Sequence, residues 1–118
     1  MEQKLISICI PTYNRPQELK RLLESIDTTK YDDVNIVISE NCSVPPKQEQ
    51  TRAVVEEFKA NCKYEVLYFE NEKNIGYDKN IRALLQRSTG RFSMFFSDDE
   101  RTSIRQAFFH PWHSAAHL

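Results

Sequence analysis

The sequence predicts an α/β fold built on an open, mainly parallel sheet with flanking helices. Three observations carry that reading: short, nearly continuous apolar runs rich in β-branched residues, amphipathic segments of helical period between them, and a polar loop after each run. Strands that alternate with helices at this spacing need right-handed crossovers and therefore lie parallel. The 118 residues suit one domain with a single core, small for an enzyme that must hold two substrates.

Residues 5–10, Leu-Ile-Ser-Ile-Cys-Ile, read as a strand buried on both faces, ended by Pro11. After the loop Pro11-Thr12-Tyr13-Asn14-Arg15-Pro16, Leu19, Leu22, Leu23 and Ile26 recur at i, i+3, i+4 and i+7. That is a helix with Pro16 in its first turn. Residues 34–39 form a second apolar strand, followed by Glu40-Asn41-Cys42-Ser43. The pair Pro45-Pro46 delays the next helix until Lys47, and this helix carries Thr51, Val54, Val55 and Phe58 on one face. Residues 64–69 are alternating and aromatic-rich, a third strand, followed by the loop 70–76. A third helix is expected from about Asp78, with Ile81, Leu84 and Leu85 inward and Gly90 as its stop. Residues 92–96 make the fourth strand, which ends in Ser97-Asp98-Asp99-Glu100.

Composition removes several functions. Sixteen Lys plus Arg against seventeen Asp plus Glu leave a formal charge of -1, so no electrostatic footprint for nucleic acid is present. Cys9, Cys42 and Cys62 form no Cys-x-x-Cys pair and read as reduced thiols, consistent with a cytoplasmic protein. No run approaches the roughly 18 apolar residues of a membrane span, so no integral membrane segment is expected. Residues 101–118 read as an atypical tail. They hold all three histidines and the only tryptophan, and they show neither helical nor strand period. His110, His113 and His117 lack neighbouring ligands of other types, so no zinc site is expected there.

In such sheets ligands bind beyond the carboxyl ends of the strands, where all the polar loops fall. Two glycines, Gly76 and Gly90, are too few for a Gly-x-Gly-x-x-Gly cradle, and neither opens a P-loop. A diphosphate bound here would need a metal. Asp98, Asp99 and Glu100 offer hard oxygen ligands for one, although three acids alone more often cap a helix or face water. Glu40 and Asn41 could hydrogen-bond a base or ribose edge, or simply make a turn. Thr12, Tyr13 and Asn14 offer hydroxyls and an aromatic face, or a loop and helix cap. Lys79, Arg82, Arg87 and Arg91 could meet phosphates, but Arg87 and Arg91 read as the wet face of a helix and its exit.

Taken together, these loops resemble the family-2 glycosyltransferases of GT-A fold, a Rossmann-like architecture, over residues 1–100. Ser-Ile-Cys-Ile-Pro-Thr-Tyr-Asn-Arg, ending at Arg15, is similar to the opening strand and nucleotide loop of that family. Ile38-Ser39-Glu40-Asn41-Cys42-Ser43 is similar to its second loop, with Glu40 where an aspartate is usual. Asn74-Ile75-Gly76-Tyr77-Asp78-Lys79-Asn80-Ile81 resembles its Asn-x-Gly segment, and Ser97-Asp98-Asp99-Glu100 its Asp-x-Asp-type region. The wording is closest to bacterial enzymes of surface polysaccharide synthesis, including abequosyltransferase-like ones.

The resemblance implies nucleotide-sugar contacts from Pro11, Thr12, Tyr13, Arg15, Glu40, Asn41, Asn74, Asn80 and Asp98. It implies Mg2+ or Mn2+ on Asp99 and Glu100. It further implies inverting transfer from a nucleotide-diphosphate sugar to a hydroxyl of a carbohydrate or lipid-linked acceptor. A lipid-linked acceptor leaves room for peripheral attachment at the membrane. The base of the family comes from the second half of its domain, so no catalytic residue is assigned. Two outcomes stay open: a working glycosyltransferase, or a truncated, inactive remnant that at most binds nucleotide. An unrelated flavodoxin-like module would need the phosphate loop that the glycine count removes.

Overall fold

The computed structural model describes residues 3–29, 31–97 and 108–110. Its elements, in chain order, are β1 (Ile6–Thr12), α1 (Pro16–Thr29), β2 (Val34–Glu40), α2 (Pro45–Asn61), β3 (Val66–Glu70), α3 (Tyr77–Arg87), β4 (Phe92–Phe95) and β5 (Phe108–His110). They build one sheet of order β3-β2-β1-β4-β5. β1 runs parallel to β2 and β4, β2 parallel to β3, and only β5 is antiparallel, against β4. The expected open, mainly parallel sheet with flanking helices is the fold observed. Asp98, Asp99, Glu100 and most of the 101–118 tail lie outside the described residues.

Side-chain alternation along the strands sorts the core into two layers. Ile8, Ile10, Ile36 and Ile38 meet Leu19, Leu22, Leu23 and Ile26 of α1 and Val55 of α2. Cys9 and Val37, one residue out of step, meet Leu84 of α3 and Phe95. β1 and β2 are thus covered on both faces, which is why they read as unbroken apolar runs.

Several boundaries differ from the expectation. β1 continues through Pro11 to Thr12. Successive residues of a strand bond opposite neighbours, and the Thr12 carbonyl accepts from Asn41 N on the β2 side. The missing N–H of Pro11 therefore faces β4, whose pairing with β1 has already ended at Cys9 and Phe95; no ladder bond is lost. α2 starts at Pro45 instead of Lys47, because the first N–H groups of a helix have no intrahelical acceptor to lose. α3 starts at Tyr77 and ends at Arg87, with Ser88 N donating to Leu84 O. Gly90 therefore does not stop the helix but lets the chain pass close to β1. A Cβ there would lie 2.6 Å from Ser7 N and 2.8 Å from Ile6 C, so only glycine fits at that crossing. β3 begins at Val66 instead of residue 64.

The tail yields one strand where none was expected: Phe108–His110 pairs with Ser93 to Phe95. Three residues are too few to show a period, and the ladder with β4, not local propensity, defines the strand. No described helix is long and apolar enough to cross a membrane.

Candidate functional site

At the carboxyl ends of the parallel strands a cavity of about 440 Å3 is lined by Pro11, Thr12, Tyr13, Arg15, Asn41, Asn74, Gly76, Tyr77, Asn80 and Ser97. The first loop thus contributes Pro11, Thr12, Tyr13 and Arg15, and the Asn-x-Gly segment contributes Asn74 and Asn80, all singled out in the sequence. Gly76, Tyr77 and Ser97, which stand in the same motifs but were assigned no contact, join them. Tyr13 and Tyr77 expose 40% and 65% of their surface, so two rings stand uncovered at one opening. Asp98, Asp99 and Glu100 lie outside the described residues, but Ser97, the residue joined to Asp98, lines the cavity. A second hollow of about 390 Å3 lies between α1 and α2, away from every strand-end loop.

The second loop is wired largely onto itself and its neighbours. Glu40 is fully buried and is not among the residues lining the cavity. Its Oε1 accepts from Cys42 N (3.0 Å) and Gln48 Nε2 (2.9 Å), and its Oε2 from Ser43 N (2.7 Å). The carboxylate closes a turn in which Cys42 takes φ +61°; its bonds run to its own loop and to Gln48 of α2. The extra methylene relative to aspartate lets it fold back onto the backbone two and three residues ahead. A matching brace ties the first loop to the second: Asn14 N donates to Ser43 Oγ (2.8 Å), and Val44 N donates to Asn14 Oδ1 (3.0 Å).

Asn41 is also committed. Its Oδ1 accepts from Ile75 N and Asn71 Nδ2, both at 3.0 Å. Its Nδ2 donates to Asn74 Oδ1 (3.1 Å) and Gly76 O (3.3 Å). A primary amide has two acceptor and two donor positions, so this side chain has none left for a base or ribose edge. Asn74 differs, because its Oδ1 accepts from Asn41 and from Gly76 N (2.8 Å). The backbone N–H can only donate, which fixes the oxygen and turns the Asn74 NH2 outward from an exposed residue on the cavity wall.

Below that wall, Asn71 Nδ2 bridges Asn41 Oδ1 and Asn80 Oδ1 (2.9 Å). Asn80 Oδ1 also accepts from Ser39 Oγ (2.6 Å), and Asn80 Nδ2 donates to Ser39 O (3.1 Å). Arg87 does not sit on a wet helix face as expected. Its Nη1 donates to Ser39 Oγ (2.8 Å), and its guanidinium stacks 4.8 Å from the Phe69 ring. Burial holds its pKa below the usual arginine value. Asn71 went unnoticed because an Asn in a polar loop carries no signal of its own. Among the described residues no three His, Cys, Asp or Glu side chains gather as a metal site.

An open, mainly parallel sheet with a cavity across its strand ends defines the class of doubly wound α/β proteins, in which ligands bind at that edge. Residues 7–104 match the family model for glycosyl transferase family 2, and the chain belongs to that family. It is 35% identical over 98 residues to the abequosyltransferase RfbV of Salmonella typhimurium, an alignment covering 81% of this chain and 28% of that protein. It is 27% identical over 96 residues to the GalNAc(5)-diNAcBac-PP-undecaprenol beta-1,3-glucosyltransferase of Campylobacter jejuni, covering 80% and 29%. The chain thus spans under a third of the length of these relatives. Among solved structures, S. aureus TarS 1-349 in complex with UDP-GlcNAc superposes with a TM-score of 0.70 at 26% identity, over 80% of this chain and 26% of that one. The mannosyltransferase PcManGT of Pyrobaculum calidifontis, solved with GDP-Man and Mn2+, shares the fold at a TM-score of 0.69 and 18% identity, over 84% and 28%.

Proposed function

We propose that the cavity at the strand ends is the donor site of an inverting glycosyltransferase acting in surface polysaccharide synthesis. It takes the nucleoside diphosphate of an activated sugar, whose acceptor is a carbohydrate or lipid-linked hydroxyl. The observation that carries this reading is the convergence of Pro11, Thr12, Tyr13, Arg15, Asn74 and Asn80 on one cavity that Ser97 also lines. Tyr13 offers a ring for the base, the Asn74 NH2 offers donors, and Asp98 follows at the ribose. Glu40 and Asn41 act one step back, by holding the loops. The cytoplasm, with or without attachment at the membrane surface, is the compartment this reading calls for.

The chain has no glycine cradle for a diphosphate, and the set Asp99 and Glu100 is all carboxylate, which suits a hard divalent cation such as Mg2+ or Mn2+. When bound, such an ion neutralises charge on the departing nucleoside diphosphate. The solved TarS complex with UDP-GlcNAc and the PcManGT complex with GDP-Man and Mn2+ support a nucleotide-sugar donor and a divalent metal. Inversion then requires an acceptor hydroxyl to displace the diphosphate from the face of the sugar opposite to it.

Calorimetric titration with UDP, CDP, GDP and dTDP, each with and without Mn2+, tests the donor site. Binding that depends on Mn2+ and is lost in Asp99→Asn is the expected result. No binding to any of the four nucleotides overturns the reading.

A further inference from the structure

We infer that Arg87 is a positioning residue for the cavity: by donating to Ser39 it completes and tightens a hydrogen-bond relay that holds the wall formed by Asn41 and Asn74. The inference rests on the donor-site reading for its functional meaning, but its geometry stands alone. A guanidinium can only donate. Once Arg87 Nη1 occupies Ser39 Oγ at 2.8 Å, the single hydroxyl hydrogen points to Asn80 Oδ1 at 2.6 Å. Asn80 Nδ2 meets Ser39 O at 3.1 Å, and because a backbone carbonyl can only accept, that contact and the Ser39 hydroxyl fix the same orientation of Asn80. Asn71 must then present its NH2 to both Asn80 Oδ1 and Asn41 Oδ1. Asn41 is left with its NH2 toward Asn74 Oδ1 and Gly76 O.

The far end of the relay is equally one-sided, because the backbone N–H groups of Ile75 and Gly76 donate to Asn41 Oδ1 and Asn74 Oδ1. Between these two ends every amide has one workable orientation. Without the Arg87 donor, Ser39 O still holds the orientation of Asn80, but the Ser39 hydroxyl loses the bond that aims it at Asn80 Oδ1, and the relay loosens at that end. Ser39 and Asn80 are buried, so water does not readily replace the lost donor. Desolvating a guanidinium beside Phe69 is costly unless it makes such a bond. The last turn of α3 is in this way coupled to the loop that precedes the same helix.

The test compares Arg87→Met, which keeps an apolar stem against Phe69, with Arg87→Lys, which keeps a donor, and with Ser39→Ala, which removes the acceptor. Amide hydrogen exchange is read at Ile75 and Gly76, against Ile36 N, which donates to Glu65 O, and Phe96 N, which donates to Cys9 O. Arg87→Met and Ser39→Ala are expected to speed exchange at Ile75 and Gly76 by about tenfold relative to the two reference amides. Arg87→Lys is expected to recover most of the protection. Affinity for the nucleoside diphosphate that binds the unmodified chain is expected to weaken several-fold in the first two variants and to recover in the third. Unchanged exchange at Ile75 and Gly76, or equal acceleration at all four amides, overturns the relay. If the unmodified chain binds no nucleotide, the donor-site reading fails and the exchange comparison still decides the relay. Should Arg87→Met not fold, Ser39→Ala against Arg87→Lys carries the same comparison.

Discussion

Among the described residues, the sheet buries thirteen apolar residues in one cluster under α1 and α2, whereas under α3 four form such a cluster. The α3 side is threaded instead by buried polar groups, Ser7, Asn35, Ser39, Asn80, Ser88 and Ser93. Both sides come from the same strands, since Ser7, Cys9, Asn35, Val37 and Ser39 alternate with Ile8, Ile10, Ile36 and Ile38. The difference is one of directionality. Apolar burial is strong but indifferent to orientation, so it stabilises the fold without selecting loop geometry. Hydrogen bonds add little net stability each but allow few arrangements, and leaving one unmade is expensive. One face of the sheet keeps the domain folded, and the other specifies where the cavity loops stand.

The largest expected effect is a test of the first half of that contrast. Leu19 is fully buried in the cluster under α1 and α2, and Leu19→Ala should cost about 3 kcal/mol of unfolding free energy in urea denaturation. Its effect should be global, with amide exchange faster at Ile36 and Ile75 alike. A loss below about 1 kcal/mol would mean that this layer is not the stabilising one.

The same contrast explains what the sequence disclosed. The layer under α1 and α2 was readable because burial on a helix or strand imposes a period: Leu19, Leu22, Leu23 and Ile26 were recognisable from spacing alone, and all four are buried. The loops of the site were readable in position, because loops at strand ends must converge in a parallel sheet. Their internal wiring was not. Glu40 and Asn41 invited a ligand-facing reading because nothing in the residue type tells whether a polar group bonds outward or back onto its own loop. Arg87 was misread for the converse reason, since a charged residue on a helix is assumed to face water unless a tertiary contact such as Phe69 says otherwise. Asn71 and the strand Phe108–His110 depend on partners distant in sequence, Asn80 and Asn41 for one and β4 for the other.

A smaller change sharpens the second half of the comparison. In Asn41→Asp the side chain keeps its shape, but an oxygen replaces the NH2 that now donates to Asn74 Oδ1 and Gly76 O. Three acceptors would then face one another in a part-buried site, costing about 2 kcal/mol. Unlike Leu19→Ala, this variant should raise exchange selectively at Ile75 and Gly76 while the strand amides stay protected. Equal loss of protection throughout would erase the distinction between the two faces.

The smallest effect concerns the one reactive group inside the α3 layer. Burial pushes the Cys9 thiol up from 9.0 to about 12, with hydrogen bonds from Ser93 and Ser88 opposing the shift. Below pH 9 the thiol keeps its proton in both the folded and the unfolded chain, and its contribution to stability is constant. Above that value the unfolded chain releases the proton while the folded one holds it, so stability falls as pH rises toward about 12. Between about pH 9 and 10 the expected fall from this group is about 1 kcal/mol. Tyr64 and Tyr68 are also raised, both chiefly by burial, but from 10.0, so they add their share at higher pH. Cys9→Ala should flatten the stability profile over that first unit whatever constant offset the lost packing introduces. A profile that falls equally steeply without the thiol would show that Cys9 does not set the alkaline limit. The sensitive group would then have to be sought among the tyrosines under the other layer.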